Sequence, residues 1–218
     1  DQLLARGVSP ATLVAAVRSP AKAADLAARG VVVREADYAR PETLVAAFAG
    51  AERLLLISSS EVGQRLPQHR AVIDAAREVG VRQLVYTSVL HADRSRLGLA
   101  AEHRDTEAAI VAAKLPHVVL RNGWYTENYL ASVPAARQHG VFLGAAGTGR
   151  SASATRADYA AAAVAVLTRP IADDQVIELA GDSAYTRAEL VAELNRQTGL
   201  AVRYQDLPQA AFGRAVTE

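Results

Sequence analysis

A chain of 218 residues, half of them hydrophobic and fewer than a quarter charged, has enough apolar material to bury the core of one globular domain with a small added lobe. Its net charge of +1, with no basic stripe interleaved with aromatics, excludes the field that gathers nucleic acid or anionic membrane. No cysteine is present, which excludes disulfides, thiolate nucleophiles and cysteine-ligated zinc. The longest apolar stretch, Tyr159–Leu167, is far short of the roughly 20 residues of a membrane span, so the expected setting is cytoplasmic, without membrane or nucleic-acid partners.

Asp1–Gly7 reads as the tail of a helix. Short apolar strands then alternate with alanine-rich helices: Thr12–Val17 and Pro20–Arg29, Val31–Arg34 and Pro41–Ala49, Arg53–Ile57 and Leu66–Val79. The alternation continues through Gln83–Ser88, Leu99–Ala113 and His117–Leu120. Continuous apolar strands separated by helices predict a doubly wound α/β fold, a parallel sheet covered on both faces. Gly30, Gly50 and Gly80 each follow a helical run, where a left-handed C′ residue is wanted. A Rossmann-type unit of this kind opens with a strand and a G-x-G-x-x-G-type turn that holds the pyrophosphate, and neither is found in this chain.

After Tyr125 the alternation lapses. A helix is expected over Thr126–Gln138, then a strand from Val141 leading into Gly144, Gly147 and Gly149, whose order is wrong for a dinucleotide fingerprint and reads as a flexible loop. Thr155 and Asp158 have capping-box spacing ahead of the helix Tyr159–Leu167. Val176–Leu179, the helix Thr186–Thr198 and the strand Ala201–Tyr204 complete a second α/β patch. The expected organisation is a nucleotide-binding domain over 1–125 and a substrate lobe over 126–218, interleaved with the first.

Four segments carry chemistry, each just past the carboxyl end of a strand, where a doubly wound sheet places its ligands. Arg18 with Lys22 offers a 2′-phosphate the fork and charge that an acidic residue would deny it, which points to NADPH; the alternative is a solvated surface charge. Asp37-Tyr38 borders an adenine or is simply a turn ending at Pro41. Ser58-Ser59-Ser60 supplies small side chains and backbone groups for a nicotinamide ribose or is a polar loop. The sharpest is Leu120–Tyr129, with Asn122 and Gly123 at a strand end and Trp124 and Tyr125 able to wall in a flat ring, or else to pack a seam beside the sheet.

The segments Val17–Lys22, Leu54–Arg65, Tyr86–Asp93, Leu120–Tyr125 and Ser153–Tyr159 together resemble the type 2 NAD(P)H:quinone oxidoreductases of the NmrA-like, atypical short-chain dehydrogenase family. The resemblance covers nearly the whole chain. It implies a small C-terminal substrate lobe, a preference for NADPH, and flavin-free reduction of a small-molecule quinone. It places Arg18 at the 2′-phosphate, Ser58, Ser59 and Ser60 at the cofactor rim with Thr87 and Ser88 in the cofactor set, and Asn122, Gly123, Trp124 and Tyr125 at the nicotinamide and quinone.

The tyrosine–lysine pair of ordinary short-chain dehydrogenases is absent, since the two lysines are Lys22 and Lys114 and neither follows a tyrosine by four residues. Where NmrA-like reductases commonly carry a lysine and a glutamate one turn apart, this chain has His103 and Glu107. That makes His103 the candidate acid, oriented by Glu107, or a histidine on the helix surface paired with its neighbour. A quinone asks little of the protein, because two rings held face to face suffice and the product oxyanion can be protonated by water. The five histidines have no metal-binding spacing, so no metal is expected. A dinucleotide-binding redox sensor without turnover is the second functional reading, and a homodimer stays open.

Overall fold

The computed structural model describes residues 1–171 and 173–215. In chain order it runs α1 (Gln2–Ala5), β1 (Val14–Val17), α2 (Ala24–Ala28), β2 (Val32–Glu35), α3 (Leu44–Phe48), β3 (Arg53–Leu56), α4 (Arg65–Glu78), β4 (Gln83–Val89), α5 (Gly98–Ala112) and β5 (His117–Asn122). It continues with α6 (Val133–His139), β6 (Val141–Gly144), β7 (Arg150–Ser151), α7 (Arg156–Thr168), β8 (Gln175–Leu179), β9 (Tyr185–Thr186), α8 (Arg187–Thr198), β10 (Arg203–Asp206) and α9 (Gln209–Ala215). Two of the expected helices begin as 3₁₀ turns, Pro20–Ala23 and Pro41–Thr43, each opened by a proline that fixes φ and needs no donor at that position. The expected helix over 126–138 is split in the same way, 3₁₀ over Thr126–Ser132 and then α6.

Two compact units share the chain: residues 1–122 with 159–179, and residues 123–158 with 180–218, of which 216–218 lie outside the described residues. In the first, β1 pairs with β2, and β3-β4-β5-β8 form a sheet, every pairing parallel. The alternation along each strand explains why both faces are apolar. On β4, Leu84 and Tyr86 join one core cluster with Leu44, Leu56, Val72 and Ile110, while Val85 joins Val118 and Leu120 under Ala163 and Val166 on the other. Each fully buried leucine here contributes on the order of 2 kcal/mol. Gly30 and Gly80 stand at φ 86° and 75°, the left-handed stops expected between helix and strand.

Strand β8 was not expected in this sheet. Its pattern suggested the second lobe, yet its residues pair with β5 from Val118↔Gln175 to Asn122↔Leu179, and Ala163 and Val166 of α7 cover that pairing. Local periodicity identifies a strand and says nothing of its neighbour.

The second unit has its own cluster of Tyr129, Ala136, Phe142, Val191 and Val202 around the parallel pair β6–β10. The loop after β6 is tied back to β10, where Gly147 N–H donates to Asp206 Oδ1 at 2.8 Å and a side chain at Gly144 would meet the Tyr204 ring at 2.8 Å. Thr155 and Asp158 cap α7 as expected, with Thr155 Oγ1 donating to Asp158 Oδ2 at 2.7 Å and Asp158 N–H donating to Thr155 Oγ1 at 3.1 Å. A second, reciprocal box was missed: Glu189 N–H donates to Thr186 Oγ1 at 3.2 Å and Thr186 N–H to Glu189 Oε2 at 2.6 Å. Thr186→Ala is expected to lower stability by about 1 kcal/mol, read as a shift in the urea midpoint.

Candidate functional site

In the first unit the strand ends converge. Ala16 and Arg18 at the end of β1, Ala36, Asp37 and Tyr38 past β2, and Ile57 through Glu61 past β3 line one pocket of about 250 Å³, with Gln68 of α4. A neighbouring pocket of about 310 Å³ is lined by Val17, Arg18, Ser19, Lys22 and Ala23. The structure therefore brings Arg18 together with Asp37, Tyr38 and all three serines, and puts Lys22 next door. Arg18 keeps 71% of its side chain exposed, and its Nη1 donates to Glu61 Oε1 at 3.3 Å. Asp37 is turned to its own loop: Oδ1 accepts from Ala39 N–H at 3.0 Å, and Oδ2 from Arg40 Nε at 3.4 Å. The Tyr38 hydroxyl reaches Ile57 O at 3.4 Å.

The serine segment is held from beneath. Ser58 N–H donates to Thr87 Oγ1 at 2.9 Å, and Ser59 N–H donates to His69 Nε2 at 2.9 Å. Arg65 Nε donates to Ser59 O at 2.7 Å, and Ser59 Oγ donates to Gln68 Oε1 at 2.5 Å. Arg65, Gln68 and His69 share the inner face of α4 at i, i+3 and i+4, so one helix clamps the loop by both backbone groups and its side chain. Because Nε2 accepts, the proton of His69 sits on Nδ1, which donates to Thr106 Oγ1 at 3.0 Å. Burial, then the Arg65 and His103 charges, lowers His69 to about 4, so it is neutral at pH 7. Sequence reasoning missed this clamp, although an arginine followed at i+3 and i+4 by a glutamine and a histidine was the available signal.

His103 requires a correction. It is neither at the helix surface nor paired with Glu107: it is 5% exposed, and its Nδ1 lies 2.7 Å from the Tyr86 hydroxyl. Burial first, then Arg65, lowers its pKa to about 4 against the opposing pull of Glu107 and Glu102. An imidazole so placed is neutral at pH 7 and holds no proton as an imidazolium acid. Glu107 instead accepts from Ser88 Oγ at 2.5 Å and takes the fork of Arg121 at 3.1 and 2.7 Å. Arg121 also reaches Asp93 at 2.8 Å and Glu178 at 2.9 Å, tying the ends of β4, β5 and β8 together. Asn122 is buried at the last position of β5.

Gly123, Trp124 and Tyr125 belong to the second unit. Ala154 N–H donates to Trp124 O at 3.1 Å and Thr126 N–H to Ala154 O at 2.9 Å, stitching the aromatic pair to the loop before α7. Trp124 remains 49% exposed, its ring 6.0 Å from that of Tyr129, while Tyr125 is half-buried. The indole is not sealed in the interior.

Residues 1–170 match the family model described as NAD(P)H-binding. The chain belongs to the NAD(P)H-binding family. Among members of known name, it is 56% identical over 213 residues to quinone oxidoreductase 2 of Escherichia coli strain K12, covering 98% of this chain and 74% of that one. The crystal structure of the E. coli NADPH-dependent quinone oxidoreductase complexed with NADPH superposes with a TM-score of 0.93 at 56% identity, over 98% of this chain and 76% of that one. The NADP(H) complex of Citrobacter sp. triphenylmethane reductase follows at a TM-score of 0.88 and 35% identity, over 94% and 73% of the two chains. Among the described residues of this NAD(P)H-binding protein, no helix is long and apolar enough to cross a membrane.

Proposed function

We propose that this chain is an NADPH-dependent quinone oxidoreductase. The observation that carries the reading is the pocket at the carboxyl ends of β1, β2 and β3, where an exposed guanidinium stands over a wall of Asp37, Tyr38 and the three serines. The two neighbouring pockets fit the adenosine and 2′-phosphate end of NADPH: Arg18 and Lys22 would meet the phosphate, Tyr38 and the Asp37 turn would border the base, and Ser58, Ser59 and Ser60 would form the rim, with Thr87 holding Ser58 N–H and Ser88 and Asn122 buried on β4 and β5. Bound NADPH supplies the hydride, which the quinone takes directly, without a flavin.

The chain's own residues bind and orient. The clamp from α4 keeps the serine backbone in place when the pocket fills. Within the second unit, the exposed indole of Trp124 and the half-buried Tyr125 phenol offer a flat aromatic face and a hydroxyl suited to a quinone ring. His103 stays neutral against Tyr86, so the hydroquinone oxyanion takes its proton from solvent. The sensor reading is not favoured, since the 56% identical relative bears an enzyme's name. The test is the loss of NADPH absorbance with a small quinone. Turnover is expected, and demonstrated NADPH binding with no oxidation above background would move the chain to the sensor class.

A further inference from the structure

We propose that Glu61 is a specificity-determining residue, an anionic competitor that contests Arg18 with the cofactor's 2′-phosphate and so sets how strongly NADPH is preferred over NADH. The inference rests on the phosphate role of Arg18. Both residues line the same pocket, and among the described residues Glu61 Oε1 is the hydrogen-bond partner of the Arg18 guanidinium, at 3.3 Å. The carboxylate is not a loose surface group. Its other oxygen accepts from Gln68 Nε2 at 2.7 Å, its backbone N–H donates to Ser59 Oγ at 3.2 Å, and Gln68 itself is 7% exposed on the inner face of α4. Glu61 is therefore held beside Arg18 whether or not the arginine is engaged elsewhere.

The other charges near the guanidinium do not share this position. Lys22 lines the neighbouring pocket and adds to the attraction for phosphate, while the carboxylate of Asp37 is turned to Ala39 N–H and Arg40. The Arg18–Glu61 pair is weak, with side chains 71% and 48% exposed and a single long contact, and pairs of this kind contribute little. A phosphate offering two oxygens to the guanidinium fork displaces it readily. Displaced from Arg18 but still tethered by Gln68, the carboxylate then faces a phosphate of about two negative charges within a few ångströms. NADH brings no charge to that spot, so the repulsion falls on NADPH and NADP⁺ alone. Glu61 thereby moderates the preference that Arg18 creates and speeds release of the oxidised product.

The test is Glu61→Gln in the full chain, a substitution that removes the charge while keeping an oxygen to accept from Gln68. NADPH and NADH affinities are measured by calorimetry at low and high salt. NADPH is expected to tighten about three- to tenfold at low ionic strength, with NADH changed less than about twofold and the gain shrinking as salt is added. NADPH affinity unchanged or weakened by Glu61→Gln overturns the proposal. A gain that survives undiminished in an Arg18→Ala background overturns the competition for Arg18, because direct repulsion between the carboxylate and the phosphate then accounts for all of it. The phosphate role of Arg18 fails on a different result: Arg18→Ala weakening NADPH and NADH equally.

Discussion

Arg18→Ala is expected to weaken NADPH binding about 10- to 100-fold while changing NADH by less than about threefold. The guanidinium is exposed on the rim of the pocket, with one weak partner. Its removal therefore costs the fold little, and the effect appears in the cofactor that carries the extra phosphate. Lys22 limits the loss, because a cation remains next door, as a point charge without the fork. Steady-state KM values for NADPH and NADH with a saturating quinone check this, and an equal rise for both cofactors would remove Arg18 from the phosphate role.

Acidification is expected to destabilise the protein by on the order of 3–4 kcal/mol between pH 7 and pH 5, about 2 kcal/mol from each of two buried histidines. His69 and His103 are held neutral, with pKa values of about 4 in the folded chain, chiefly by burial and next by the charge of Arg65. Their unfolded value is near 6.5. A folded pKa below the unfolded one means that the stabilisation is complete above pH 6.5 and is lost as pH falls toward 4. Charged groups in the same region are Arg65, Glu102 and Glu107, and the carboxylates oppose the shift of His103 without reversing it. Urea midpoints at pH 7 and pH 5 measure the loss. His103→Gln, which has no ring to protonate, is expected to show about half the pH dependence of the parent chain. An identical dependence in the two proteins would show that His103 does not titrate in this window.

The strands and helices of the first unit were legible because burial on both faces of a parallel sheet writes long apolar runs into the sequence, as Leu84, Val85 and Tyr86 show by pointing to two different cores. That Arg18, Asp37 and Ser58 come together was legible for a related reason: all three stand just past strand ends, and strand ends are visible in the pattern. Contacts between distant segments left no local mark. Nothing around His103 announces that Tyr86, not Glu107, is its partner, or that Arg121 takes the carboxylate of Glu107 for itself. The pairing of Arg18 with Glu61 spans 43 positions, and the place of β8 beside β5 depends on a crossover whose periodicity would suit either unit.

That crossover also governs how the protein is born. As the polypeptide leaves the ribosome, the outer edge of β5 stays bare through synthesis of the whole intervening segment, until Gln175–Leu179 arrives to zip along it. A polypeptide ending at Asn122 would freeze in this half-finished state, with Val118 and Leu120 uncovered and a row of open backbone groups inviting aggregation. The first compact unit is kept whole only by splicing residues 159–179 back onto residues 1–122, not by a single cut.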